Sequence, residues 1–220
     1  MGHSAPKRAR TAVLISGSGS NLQALIDAAS VVDYPAEIAL VISNKAEAFG
    51  LTRAQKADIP TETLSHKDFA SREAFDDALH ALLQKHNIEL VCLAGFMRLL
   101  TADFVTKWHG RMINIHPSLL PLYKGLHTHK RALEDGVRFS GCTVHFVVPD
   151  MDSGPIILQA AVPILQHDTE ETLQHRVHAA EHQIYPRALR WLASGQLKVT
   201  GNKVAVLGVE DHASFLVNPA

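Results

Sequence analysis

R-M-I-N-I-H-P-S-L-L-P, Arg111 to Pro121, is an apolar-ended run that turns polar and then meets prolines. Read as a strand, its side chains alternate between faces, so Asn114 and His116, two apart, project from one side at the carboxyl end. Pro117 carries no N–H for a ladder and stops the strand. An amide beside an imidazole at a strand's end is a candidate clamp for a developing oxyanion. The stretch H-F-V-V-P-D-M-D-S-G, His145 to Gly154, adds Asp152, a carboxylate able to orient that imidazole and favour its charged form.

Outward from this run the pattern alternates strand and helix. Thr11 to Ser16 reads as a buried strand, Gly17 to Asn21 as a turn, and Leu22, Leu25, Ile26 and Ala29 recur at helical spacing. Glu37 to Ser43 is a second β-rich run, Ala46 to Ala57 a helix, and Thr61 to Leu64 a short strand. Ser71 is a good N-cap, and Phe75, Ala78, Leu79, Leu82 and Leu83 form one apolar stripe, which predicts a helix to His86. Glu89 to Ala94 is another buried strand. The fold class that follows is α/β: a Rossmann-like, mostly parallel sheet flanked by helices. The loops after Ser16, Ala94 and Ile115 then leave the carboxyl edge, where such sheets bind ligands.

Past Pro121 the style changes. Thr128 to Asp135 reads as a short helix. Cys142 to Val148 and Pro155 to Val162 read as an antiparallel pair that extends the sheet in the C-terminal half. Asp168 to Glu171 resembles a capping box, opening an amphipathic helix that Pro186 is expected to kink. Gln196 to Val199 and Lys203 to Val206 read as a hairpin.

The 220 residues, 46% hydrophobic and 20% charged, suffice for a substantial core. They are read as one domain: a polar arm over 1–10, a phosphate-binding half over 11–115, a catalytic half over 116–207, and a tail over 208–220. A net charge of −1 gives no basic balance for nucleic acid or a membrane surface. No apolar run has transmembrane length. Cys92 and Cys142 sit in apolar runs and read as buried thiols of a reducing compartment, so the expected location is the cytoplasm. Monomer and homodimer both remain open.

Gly17-Ser18-Gly19-Ser20-Asn21 precedes a helix, and backbone amides there favour a phosphate. A dinucleotide is disfavoured, because Leu22 stands where the third glycine belongs and the second strand ends in Ser43-Asn44, not an acid. A plain structural turn is the alternative. A metal site from His116, His127, His129 and Asp152 is disfavoured by the spacing. Asn114, His116 and Asp152 could also merely shape turns.

Taken together, V-L-I-S-G-S-G-S-N-L, L-A-G-F-M-R-L-L, N-I-H-P-S-L-L-P, G-L-H-T-H, D-x-D-x-G-P and A-E-H-x-I-Y-P resemble the glycinamide ribonucleotide formyltransferase family, the folate-dependent transformylases of purine synthesis. The likeness runs from about Ala12 to Leu207. It implies a substrate phosphate on Gly19, Ser20 and Asn21, with Gly19 keeping the backbone clear for it. It implies that His178, Ala179, Ala180 and Glu181 hold the glycinamide end. Arg72, the loop Met97, Arg98, Leu99 and Leu100, Asn114, and the segment Val148, Pro149, Asp150 and Met151 would hold the folate. Asn114, His116 and Asp152 would be catalytic. The implied small-molecule partners are glycinamide ribonucleotide and 10-formyltetrahydrofolate, the latter as co-substrate, with no metal. Methionyl-tRNA formyltransferase, formyltetrahydrofolate hydrolase and a non-catalytic nucleotide-binding module are the competing readings. The first two are expected to carry a further basic C-terminal domain and a further N-terminal domain respectively, and this sequence reads as holding neither.

Overall fold

A computed structural model of the chain describes residues 7–209 and Asn218; the start of the expected arm, 1–6, and most of the expected tail, 210–217 and 219–220, lie outside the described residues. The first strand, β1 (Ala9–Ile15), begins inside the expected arm. The reason is local bonding. The Ala9 N–H donates to the Pro35 carbonyl at 2.8 Å, and Arg10 pairs with Glu37 at 2.7 Å and donates to the His86 carbonyl at 3.1 Å.

β2 (Ala36–Ser43), β3 (Thr61–Thr63), β4 (Leu90–Leu93) and β5 (Met112–His116) join β1 in a parallel block of order β3-β2-β1-β4-β5. β6 (Phe139–Phe146) adds antiparallel to β5, and β7 (Ile156–Pro163) pairs antiparallel with β6, the latter as the sequence suggests. The hairpin β8 (Leu197–Thr200) and β9 (Lys203–Val206) completes nine strands among the described residues. β9 pairs in parallel with β7 at Ile156 and Lys203, a long-range contact that no local pattern announces.

Two hydrophobic clusters cover the sheet. On one face α1 (Ser20–Ala29), α2 (Phe49–Lys56), α5 (Thr128–Glu134) and α6 (Glu170–Ala193) bury Leu22, Leu25, Leu51, Ala132, Val177, Tyr185 and Leu189 against Val13, Ile15, Ile113 and Ile115. On the other, α3 (Arg72–Lys85) and α4 (Ala102–Lys107) bury Phe75, Leu79, Leu83, Phe104 and Trp108 against Leu14, Val91 and Met112. The alternation of β5 is thereby fixed: Ile113 and Ile115 face α6, and Asn114 and His116 share the face of Met112. Ser71 caps α3 as expected, its side chain accepting from the Ala74 N–H at 3.1 Å.

One expectation shifts. The capping box of α6 is Thr169 with Thr172, one residue beyond Asp168. The Asp168 carboxylate is engaged instead by Arg176, at 2.7 and 2.9 Å, and by the Leu165 N–H, and the Arg176 guanidinium holds it down at about 2. α6 continues through Pro186, whose carbonyl accepts from the Tyr34 hydroxyl at 2.6 Å.

Candidate active site

β1, β4 and β5 run in parallel and end on one edge, at Ile15, Leu93 and His116. β1 has β2 on one side and β4 on the other, so the chain leaves β1 and β4 in opposite directions and opens a crevice at their carboxyl ends.

Asn114 sits opposite His145 in the β5–β6 register, and its amide Nδ2 lies 3.2 Å from His145 Nε2. The other ring nitrogen of His145, Nδ1, is 2.9 Å from the Phe146 carbonyl, which can only accept. His145 is therefore protonated at Nδ1, its Nε2 lone pair accepts from Asn114, and burial pushes its pKa down, in keeping with a neutral ring. This chain of bonds turns the Asn114 nitrogen toward His145 and leaves its second N–H unspent.

His116, buried beside it, has Nε2 3.0 Å from the Tyr123 carbonyl and Nδ1 3.5 Å from an Asp152 oxygen. Its Nε2 proton thus points at Tyr123, and both nitrogens face acceptors. Asp152 lies between the two histidines, 3.5 Å from His116 and 3.8 Å from His145. It adopts φ 49°, a left-handed conformation uncommon for a non-glycine residue, and its Oδ2 accepts the Gly125 N–H at 2.9 Å. Asn114, His116 and Asp152 come together, with His145 as an unforeseen fourth member.

Gly19 caps α1 at φ 70° with no side-chain capping bond, so the first amides of the helix are open. The fold itself supplies a further reason for a glycine here. A Cβ there would stand 2.6 Å from Gly50 Cα, so the clash is with the chain's own α2, and the left-handed φ adds a second demand. Gly19→Val is accordingly expected to destabilise the fold, by about 1–3 kcal/mol for overpacking plus about 1–2 kcal/mol for the backbone conformation. Urea unfolding that left the midpoint unchanged would refute this account.

Beside the loop lies a cleft of about 360 Å³ lined by Ser20, Gln23, Ala24, Asp27, Arg53 and His182. Arg53 donates from Nε to the Ser18 carbonyl at 2.9 Å and from Nη1 to Gln23 at 3.3 Å. His182 holds a buried Nε2 with no partner among the described residues. Both face the region expected to take a phosphate, and neither was singled out by sequence. The Asn21 side chain reaches across to α6. Its Nδ2 donates to Glu181 Oε2 at 2.7 Å.

Glu181 is 3% exposed, and burial raises its pKa to about 7 against the opposing hydrogen bond from Asn21. His178, Ala179 and Ala180 lie within α6, so their backbone groups belong to the helix ladder. Ala179 and Ala180 bring only methyls, while the His178 ring stacks on His182 at 6.3 Å.

The loop Met97–Leu100 follows β4. Met97 and Leu99 are 64% and 62% exposed, and Arg98 lies over the Phe75 ring at 5.5 Å. Arg72 donates to the Leu100 carbonyl at 3.4 Å. Val148 is half-buried, while Pro149, Asp150 and Met151 are exposed on the turn leading to Asp152. Exposed apolar groups beside unpaired backbone suit a flat heterocycle. Among the described residues no three His, Cys, Asp or Glu side chains gather as metal ligands, and no described helix is long and apolar enough to cross a membrane.

Residues 9–189 match the family model described as formyl transferase. The chain is 50% identical to the phosphoribosylglycinamide formyltransferase of Escherichia coli (strain K12), over 86% of this chain and 90% of that protein. It is 58% identical over 89% of its length to the trifunctional purine biosynthetic protein adenosine-3 of Chironomus tentans, and spans only 14% of that much longer relative. Among solved structures, glycinamide ribonucleotide transformylase 1 from Symbiobacterium toebii superposes with a TM-score of 0.89 at 49% identity, covering 91% of this chain and 94% of that one.

Proposed function

The chain belongs to the formyl transferase family, and we propose that it transfers the formyl group of 10-formyltetrahydrofolate to the amino group of glycinamide ribonucleotide, giving formylglycinamide ribonucleotide and tetrahydrofolate. The observation that carries this reading is the constellation at the end of β5: an amide with a free N–H, a histidine between two acceptors, and a carboxylate, all on the carboxyl edge.

The neutral substrate amine attacks the formyl carbon, a C–N bond forms, and the carbonyl electron pair moves onto oxygen. Asn114 donates its second N–H to that oxygen. His116 donates from Nε2. The Tyr123 carbonyl holds this proton before substrate arrives, and an oxyanion, the stronger acceptor, takes it over. Asp152 holds the ring from the Nδ1 side. Collapse restores the carbonyl and breaks the bond to N10; the attacking nitrogen, cationic after addition, gives up one proton and the departing N10 takes one, and His116 is the group proposed to relay it, directly or through water.

Gly19, Ser20 and Asn21 would present backbone amides to the phosphate, with Arg53 adding charge. Glu181 would bind the glycyl ammonium before its proton is lost. Arg98, Leu99 and Leu100 would offer backbone groups to the pterin, and Met97 and Met151 apolar cover.

Turnover is followed by the absorbance of the deformylated folate when ribonucleotide and a 10-formyl folate are supplied together. Formyl transfer to an amine needs neither a redox partner nor a Lewis acid. Activity is therefore expected to survive EDTA dialysis without added nucleotide cofactor. Zinc-dependent recovery of lost activity would overturn the role given to His116, and no turnover with any amine acceptor would overturn the function.

A further inference from the structure

The loop from Gly95 to Thr101 has no regular structure, and side chains from elsewhere in the fold anchor both of its ends. At the first end the Met97 N–H donates to Ser16 Oγ at 2.8 Å, and that hydroxyl donates to Asn44 Oδ1 at 2.5 Å. At the other end the Thr101 N–H donates to Asp76 Oδ2 at 2.6 Å. Ser16 and Asn44 are each 5% exposed and Asp76 is 3% exposed. Between the anchors, the amides of Arg98, Leu99 and Leu100 have no partner among the described residues.

Asp76 is the most telling of the three. A buried carboxylate is costly unless paired, and among the described residues it forms no ion pair. Its bond to Thr101 N–H fixes the point where the loop becomes α4. Ser16 is telling for its place: it directly follows β1 and precedes Gly17 and the glycine-rich turn. One hydroxyl thus ties the strand feeding that turn to the first residue of the second loop.

We infer that Ser16, Asn44 and Asp76 are positioning residues. They hold the 97–100 loop open at both ends so that its middle amides stay available to a ligand, and Ser16 mechanically links the two substrate loops. This rests on the reading that the loop binds the folate and the turn binds the ribonucleotide phosphate.

The test combines amide hydrogen exchange with calorimetry, using glycinamide ribonucleotide and a 10-formyl folate analogue that cannot transfer its formyl group. Asp76→Ala and Ser16→Ala are expected to speed exchange at Thr101 and at Met97, respectively, by tenfold or more. Both should weaken the folate analogue by about 10- to 100-fold, the loss of a buried hydrogen bond to a charged or well-oriented acceptor. Asp76→Ala should leave ribonucleotide affinity within about twofold, whereas Ser16→Ala should weaken both ligands. Asp76→Asn keeps an acceptor oxygen and should recover most of the affinity; it also serves if the alanine variant does not fold. Folded variants with unchanged exchange at Met97 and Thr101 would overturn the inference. So would faster exchange with unaltered folate affinity, since that is the mark of a merely structural bond. A wild-type protein that binds no folate analogue would sink the folate assignment instead, and the exchange arm separates the two failures.

Discussion

Asn114→Ala is expected to lower kcat by about 10²–10³, the usual loss for one oxyanion donor, with little change in KM for either substrate. The expectation rests on preorganisation. His145, protonated at Nδ1 through the Phe146 carbonyl, accepts one Asn114 N–H and thereby fixes the amide rotamer before any substrate arrives. The second N–H is aimed without cost at the moment of reaction. The loss should fall on kcat, because the negative charge exists only in the transition state and the ground-state carbonyl is a weaker acceptor. Asn114→Asp is expected to be worse than alanine, since it replaces a donor with a second negative charge beside Asp152. Asp152→Asn should also keep substrate binding and lower turnover, because the carboxylate that faces His116 Nδ1 at 3.5 Å would be replaced by a neutral amide. Rates measured at saturation decide this. An alanine variant that kept wild-type kcat would remove Asn114 from the mechanism. An Asp152→Asn variant with full turnover would remove the pairing with His116.

Much of this site could be read before folding, for identifiable reasons. Asn114 and His116 belong to one strand, and alternation alone puts them on one face. The parallel block follows from apolar runs separated by amphipathic helices. What stayed hidden depends on register and on contacts between distant elements. His145 enters the site because β6 pairs with β5 so that it lies opposite Asn114, 31 positions away. No local pattern encodes that pairing. Arg53 looks like any charged residue on a surface helix until α2 packs against the glycine-rich turn. Gly19 was legible as special, but the obstacle that requires it is Gly50 and not only a ligand. Tyr123 contributes a carbonyl, and a main-chain group has no side-chain signature. The Thr169 cap was displaced by one residue because Asp168 has a stronger partner in Arg176, eight positions on.

Glu181→Gln is expected to weaken glycinamide ribonucleotide by about 10- to 100-fold, the range for a hydrogen bond to a charged group, and to leave folate affinity nearly intact. The pH dependence makes this specific. Burial raises the Glu181 pKa from 4.5 to about 7, so the folded protein holds a proton that the unfolded chain releases. The associated stability is fully present below pH 4.5 and is lost as pH rises through about 7, amounting to about 3 kcal/mol. Wild-type stability should therefore decline across that window, and Glu181→Gln should lack that part of the slope. Ribonucleotide binding moves the opposite way. Only the carboxylate attracts the ammonium, and its ionised fraction falls from about three quarters at pH 7.5 to about one tenth at pH 6 for a pKa near 7. Affinity should fall about eightfold over that interval. The substrate phosphate, with a second pKa near 6, adds a slope common to both proteins, so the informative quantity is the difference between wild type and Glu181→Gln. Calorimetry at the two pH values measures it. If the two proteins changed affinity in parallel, Glu181 would not be the group that meets the ammonium. Its bond to Asn21 would then be its remaining role, that of holding α6 against the phosphate turn.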